Sequence, residues 1–249
     1  MATFTVGPNS RLYWEQFAFT GNIKEAALQI GTEALDKTAW GDSTRVFRAG
    51  LDTISLSASG HQSFGTGEID ESLNGELLAD NGIISVGSNV SAEGDIMYVF
   101  TGVASSYVPL QGSVGDQASF AIAAEAADKW FRGKLLADNA ARTSSSNSTG
   151  IQLGTISASQ KMHAALHVFA VSGTSPTLDV TIESDDNSGF SSATTRMTFT
   201  QATAVGAEVI GPTAGPAGSD DYWRVAWTIG GTGTPTFNFA VIFGHERHG

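Results

Sequence analysis

From Met162 to Phe243 the chain alternates apolar and polar residues through Leu178, Val180 and Ile182, through Trp223, Val225, Trp227 and Ile229, and through Phe237, Phe239, Val241 and Phe243. A period of two is the mark of β-strands with one face in a core, and it constrains the fold more than any other feature. Ahead of these segments, Met162 to Val171 is a longer apolar run that fits a central strand covered on its second face as well. Breakers separate the runs at Ser172–Pro176, Asp185–Gly189, Gly211–Pro216 and Gly230–Pro235. Turn chemistry at such short intervals predicts an antiparallel β-sandwich or β-barrel.

A chain of 249 residues can bury one large β domain or two smaller lobes, and 29 glycines suit a turn-rich β protein. With no cysteine there are neither disulfides nor thiolate metal sites. The net charge of −12 argues against a surface that grips phosphates. The N-terminal residues lack a basic segment followed by an apolar core, and no apolar run is long enough to span a membrane as a helix. The expectation is a soluble, non-secreted protein.

Along the chain, Leu12–Phe19 reads as a strand; Ile23–Ile30 has the composition of a short helix, while Ala27–Leu35 reads equally as an extended strand. Leu35–Arg45 is polar, and Ile54, Leu56 and Ala58 alternate with Ser and Thr. Together they predict a hairpin arm, an exposed loop and a return strand. Ser63–Asn81 is acidic and turn-rich, with strands expected at Ile83–Val90 and Asp95–Ser105. Asp116–Phe131 is open between helix, from its alanines and a capping Asp116, and strand, from Phe120 and Ile122. Gly75–Asn81 is echoed at Gly133–Asn139 through a shared Leu-Leu-Ala-Asp-Asn. That echo raises two related lobes as an alternative to one lobe with an appended sandwich. The expected division is 1–140 and 141–249, with the Ser/Asn-rich piece Arg142–Gly150 as linker or exposed loop. The fold class is mainly β, with at most one or two short helices.

Asp36, Thr38, Gly41, Asp42, Arg45, Gly50, Leu51, Asp52 and Gly60 stand in an order that resembles the tail tube (major tail) proteins of long-tailed bacteriophages. The resemblance covers roughly the first half of the chain, and its weight lies in the order of residues that are individually weak signals. It implies a β-sandwich or β-barrel subunit that self-assembles into rings. Stacked rings would form the tube, the conduit through which genomic DNA passes without specific binding. It further implies an assembly interface in the loop 35–49, at Asp36, Thr38, Trp40, Asp42 and Arg45. Partners would be further copies of the chain and other tail proteins at the tube ends, the location the virion tail, and the site of synthesis the host cytoplasm. Two related lobes would give a ring of three copies, one tube lobe a ring of six.

No catalytic motif points to an enzyme: a nucleophile elbow, a P-loop and a dinucleotide fingerprint are all missing from the sequence. His163 and His167 have zinc-motif spacing on a helix, but on a strand they stand roughly 13 Å apart, so a structural role is expected. His245 and His248 read as a frayed tail. Glu183–Gly189 offers oxygen ligands for calcium but lacks EF-hand alternation, and a solvated turn is the stronger reading. No cofactor and no metal are expected. Trp223 and Trp227 read as core residues sooner than as a sugar platform. The alternatives to a tail tube subunit are a carbohydrate- or receptor-binding virion β-sandwich and a capsid decoration protein.

Overall fold

In the computed structural model, which describes residues 9–65, 68–76 and 81–245, the alternating segments form antiparallel strands. In chain order these are β1 (Arg11–Trp14), β2 (Phe17–Ala18), β3 (Ile23–Asp36), β4 (Phe47–His61), the helix α1 (Ile69–Glu76), β5 (Gly82–Gly87), β6 (Ile96–Gln111) and β7 (Ser119–Arg142). The short β8 (Ser146–Asn147) and β9 (Ile151–Gln152) precede β10 (Lys161–Asp185), β11 (Thr194–Thr198), β12 (Gly206–Ala214) and β13 (Tyr222–His245). The strands form two compact units: one of Met1–Gly21, Ile83–Phe100 and Trp130–Gly249, the other of Asn22–Gly82 and Thr101–Lys129. Residues 140 and 141, the division expected from sequence, both lie in the first unit, so its chain is discontinuous.

The first unit is built on one ribbon. β10 and β13 pair antiparallel from Met162 opposite His245 to Asp185 opposite Tyr222. Yet Trp223 and Phe243, twenty residues apart on β13, stack with ring centroids 4.8 Å apart, and Trp227 meets Phe239 edge-on at 5.6 Å. A straight strand of that length would separate the first pair by roughly 66 Å. The ribbon is therefore folded back on itself. The fold-back falls where Ser172–Thr177 lies across from Gly230–Thr236 and the register shifts. Gly173 and Gly231 take positive φ values there, which side chains resist, and a Cβ on either would press into facing backbone. The segments expected to separate strands thus bend two continuous ones, and they face each other so that both strands turn together.

Folding the ribbon makes a sandwich. One layer holds β12, the first half of β10, the second half of β13 and the end of β7; the other holds β11, the second half of β10 and the first half of β13, flanked by β8 and β9. Leu166, Val168, Phe239, Val241 and Phe243 from one layer meet Leu178, Val180, Ile182, Trp223 and Val225 from the other in a single core. The intervening residues Ala165, Ala240 and Ile242 pack on the opposite face against Tyr13, Met97, Val99, Phe131 and Leu135. Of the run Met162–Val171, residues 162–168 are buried on both faces as expected, whereas Phe169 and Val171 are half-buried and Ala170 is exposed. The sheet path ends in free strands and does not close into a barrel.

Three local expectations change in this unit. Leu12–Phe19 is not one strand but a tight turn at Glu15 and Gln16 joining β1 to β2, with Glu15 at φ 49°. Arg142–Gly150 lies within the first unit and so is no inter-lobe linker; it is the exposed loop of the two readings, a strap whose Ser146 and Asn147 pair with Trp227 and Ala226. His245 is no frayed tail: it ends β13 opposite Met162, and its Nδ1 lies 3.0 Å from Gln160 Nε2. His248 is outside the described residues.

The second unit holds β3, β4, α1, the start of β7 and the later part of β6. Ile23–Ile30 forms strand and not helix, because pairing with β4 supplies every second residue with a partner across the ladder. Asp116–Phe131 resolves the same way: Phe120, Ile122 and Ala124 are buried in alternation, against Ser55–His61 of β4. The acidic Ser63–Asn81 segment holds the one helix among the described residues. Asp70 and Glu71 sit in its first turn, where the helix dipole favours them, while Ile69, Ser72 and Leu73 are buried. Gln62 Nε2 donates to Tyr107 Oη at 2.6 Å and to the Pro109 carbonyl at 2.7 Å, and Tyr107 donates to Asp70 at 2.8 Å, tying α1 to β6. Gly75 and Glu76 close this helix, whereas their echo Gly133–Asn139 lies in β7. Leu77–Asp80 lie outside the described residues, so the echo has no matching structure over the part that can be compared.

If the ribbon is folded as described, Trp223→Ala and Phe243→Ala should each cost about 3–5 kcal/mol in urea unfolding. The double variant should cost less than their sum by about 0.5–1.5 kcal/mol, the coupling of a stacked pair.

Candidate functional site

The hairpin of β3 and β4 presents the five residues singled out by the resemblance, and its two halves differ in kind. In the half near Ile54, β4 is flanked by β3 and β7 and buries Ile54, Leu56 and Ala58. The β7 ladder stops at Ser55, opposite Glu125. Beyond it β3 and β4 continue alone to Asp36 and Phe47, a two-stranded ribbon with both faces in solvent. Between Asp52 and Ala49 β4 carries one more residue than β3 does between Thr32 and Ala34, a bulge that adds twist to the ribbon.

The tip is shaped by its own polar groups. The Asp36 carboxylate accepts from the Thr38 amide at 2.9 Å, and the Thr38 hydroxyl and amide together hold that carboxyl below its usual range. Thr38 Oγ1 also accepts from the Val46 amide at 3.0 Å, and the Lys37 amide donates to the Val46 carbonyl at 2.8 Å. Asp42 closes the turn: its carboxylate accepts from the Ala39 amide at 2.8 Å, while its own amide donates back to the Ala39 carbonyl at 3.1 Å. Asp36, Thr38 and Asp42 are therefore brought together as a scaffold. Trp40 stands fully exposed on it, and Arg45 is exposed beside it.

Sequence reasoning gave the apolar residues lower on the ribbon no place in the interface, although Leu51 stood in the resembling order. Leu35 is 45% exposed, Phe47 55% and Leu51 79%. Large apolar side chains on a solvated two-stranded ribbon break the usual outward-polar pattern. The signal was in the sequence, but it needs the strand ends to be seen. The β6–β7 turn carries a second such feature, with Leu110 and Val114 exposed and Asp116 accepting from the Ser113 amide at 3.0 Å. β4 runs from the Trp40 tip toward His61, and His61 pairs with Ser119 just after the second turn. The two apolar tips thus lie at opposite ends of the second unit's sheet.

Other candidate chemistry is structural. His167 Nε2 lies 2.7 Å from Ser85 Oγ, and its Nδ1 lies 2.7 Å from the Glu15 carbonyl, a serine–histidine pair in outline. Both side chains are wholly buried, so no substrate reaches them. His163 stacks on Phe131 at 5.5 Å. In the acidic turn, Asp185 accepts from the Asn187 and Ser192 amides at 3.1 and 2.8 Å, which uses its oxygens to form the turn. Asp220 is taken by Ser184 at 2.6 Å and Arg196 at 2.7 Å. Among the described residues no group of three or more His, Asp or Glu side chains could hold a metal ion. Trp223 is wholly buried and Trp227 half-buried against the core, with its Nε1 donating to the Ser144 carbonyl.

No family model and no curated protein sequence matches the chain. Among solved structures, a chain from the virion of the native gene transfer agent particle aligns with a TM-score of 0.43 and 15% identity, over 51% of this chain and 98% of that one. A chain from the tail of the empty gene transfer agent particle, with C6 symmetry, aligns with a TM-score of 0.37 and 17% identity, over 44% and 81%. The SPP1 Dit protein, described as a paradigm of the hub adsorption apparatus in phages infecting Gram-positive bacteria, aligns with a TM-score of 0.36 and 10% identity, over 95% and 99%. At these scores and identities the likenesses assign neither fold nor function.

The buried His167 gives a pH dependence. Burial lowers its pKa from 6.5 to about 4, so between those values the unfolded chain binds a proton that the folded chain excludes. Its contribution is complete above pH 6.5 and is lost as pH falls toward 4, amounting to about 3 kcal/mol. Unfolding free energy measured from pH 7.5 to 4 should fall over this window, and His167→Gln should flatten the part of the slope above pH 5, where few carboxylates titrate.

Proposed function

We propose that the chain is a structural subunit of a bacteriophage tail that self-assembles into stacked rings and so forms the tail tube. The observation that carries this reading is the uncovered end of the β3–β4 hairpin. An isolated two-stranded ribbon is marginal in water, and this one exposes Leu35, Trp40, Phe47 and Leu51 on a tip stiffened by Asp36, Thr38 and Asp42. A rigid apolar projection of this kind suits insertion against a neighbouring subunit, with Trp40 as anchor and Arg45 at its rim. The order of residues from Asp36 to Gly60 that resembles tail tube proteins lies on this same hairpin.

Two further features support assembly. Among the described residues β3 pairs only with β4, leaving a 14-residue edge to recruit another chain, and ring closure removes such edges without an open fibre in the ring direction. The apolar tips at opposite ends of one sheet suit head-to-tail stacking. The net charge of −12 would keep DNA from adhering as it passes. Since the Gly75–Asn81 echo is helix-terminal in its described part and strand in its second copy, one tube-forming unit per chain is the simpler reading, and a ring of six follows.

Electron microscopy of the concentrated protein, alone and with tail-tip proteins as initiators, should show rings or tubes with a lumen wide enough for duplex DNA. Trp40→Ala should raise the concentration needed for assembly by about thirtyfold, the effect of losing an interface hot spot, and deletion of residues 36–44 should abolish it. A single ring that never stacks would point to a hub, and a monomer under all these conditions would end the proposal.

A further inference from the structure

The outer face of the sandwich's second layer carries a groove that none of the assembly features uses. It is an open depression of about 400 Å³ across β8, β13 and β10. Its floor is Ala226, the one small side chain in a row that pairs with Asn147 on one side and Thr181 on the other. Thr228, Asp179 and Glu183 complete the walls.

Two kinds of polar group meet here. The Asp179 carboxylate is held by Gln201 Nε2 at 2.9 and 3.1 Å, and the Glu183 carboxylate by Arg224 at 2.8 Å. Both are fixed in place with lone pairs left over, since an ionised carboxylate accepts at about four sites. Between them, the Asn147 amide and the Thr181 and Thr228 hydroxyls have no hydrogen-bond partner among the described residues, and each can both donate and accept. The result is a pair of fixed acceptors beside adaptable donor–acceptor groups.

The charge balance selects the ligand. Among the described residues two cations lie near the groove and both are committed: Arg224 to Glu183 and to the Phe190 ring, 4.2 Å from its guanidinium, and Arg142, 4.9 Å from the Trp227 ring, to the Asp138, Ala140 and Phe239 carbonyls. A phosphate, sulfate or sialic acid would meet two carboxylates with no free cation to balance it. A metal ion would find two carboxylates but no third ligand of that kind. A neutral molecule rich in hydroxyls satisfies every group: its O–H donors serve the carboxylates, its oxygens accept from Asn147, and the threonines bond in either sense.

We propose that this groove binds a neutral carbohydrate, giving the first unit a glycan-binding surface separate from the assembly hairpin. The proposal does not depend on the ring-forming reading.

The test is a neutral and acidic glycan array with the full-length protein, followed by titration calorimetry of the best neutral oligosaccharide. Neutral glycans should bind and sialylated or phosphorylated ones should not. Ala226→Arg, which fills the floor, should abolish binding. Thr181→Val and Asp179→Asn should each weaken it by about tenfold, with melting temperatures near that of the wild type, and Trp40→Ala should bind as the wild type does. No neutral glycan bound by the wild type, a preference for anionic glycans, or unchanged affinity in folded Thr181→Val and Asp179→Asn would each overturn the proposal, whatever the assembly behaviour.

Discussion

The stacking of Trp223 on Phe243 makes the rest of the first unit necessary. Two residues twenty positions apart on one strand touch only if the strand doubles over, and its partner β10 must double with it to keep the ladder paired. From that fold-back come the two layers, the core between them and the edges to which β11, β12, β7, β8 and β9 attach. The bend is stabilised by what it brings together. Leu178, Val180 and Ile182 are wholly buried under the first half of their own strand, and burying each such side chain is worth about 1.5–3 kcal/mol. Straightening the ribbon would return all of them to water.

The second unit obeys the opposite logic at its far end. From Ser55 onward the β3–β4 hairpin has a third strand and a buried face, but toward the tip from Ile54, the last buried residue, it has neither. Its order there rests on ladder bonds and on the side-chain bonds of Asp36, Thr38 and Asp42. Such bonds set shape more than stability, because water competes for each of them. A segment that spends polar residues on a fixed outline while exposing Trp40, Phe47 and Leu51 fits the contact with a neighbouring copy proposed above. The groove at Ala226 differs in chemistry, being polar and lined by held carboxylates, so the two units offer distinct surfaces.

Much of the fold was legible because burial imposes a period. Leu178, Val180, Ile182 and Trp223, Val225 read as inward-facing residues from alternation alone, and Met162–Val171 read as doubly covered from its largely apolar run, which holds as far as Val168. The polar loop and return strand of the hairpin, residues 35–60, were also visible, whereas its first strand was open between helix and strand over Ile23–Ile30. What was hidden is long-range. Ser172–Pro176 and Gly230–Pro235 look like strand ends, and only their placement across from one another turns them into a shared bend. The helix Ile69–Glu76 was masked by its polar composition, since three buried residues carry its packing. The discontinuity of the first unit has no local signature, because β6 and β7 pass between units without a linker. Of the candidate site, Asp36, Thr38, Trp40, Asp42 and Arg45 were named from order alone; their division into scaffold and display needed the hydrogen bonds. The groove was invisible, as Asn147, Thr181 and Ala226 belong to three strands.

In the proposed assembly the uncovered β3–β4 ribbon is completed by other copies of the chain. Amide hydrogen exchange over residues 31–53, compared between dilute and concentrated or assembled protein, tests it most directly. The account predicts rapid exchange in the dilute chain, where no third strand or core protects the ribbon, and strong protection of this segment on assembly, while the core amides of β10 and β13 stay protected throughout. Rapid exchange of residues 31–53 in the assembled state, or equal protection in the isolated chain, would contradict it.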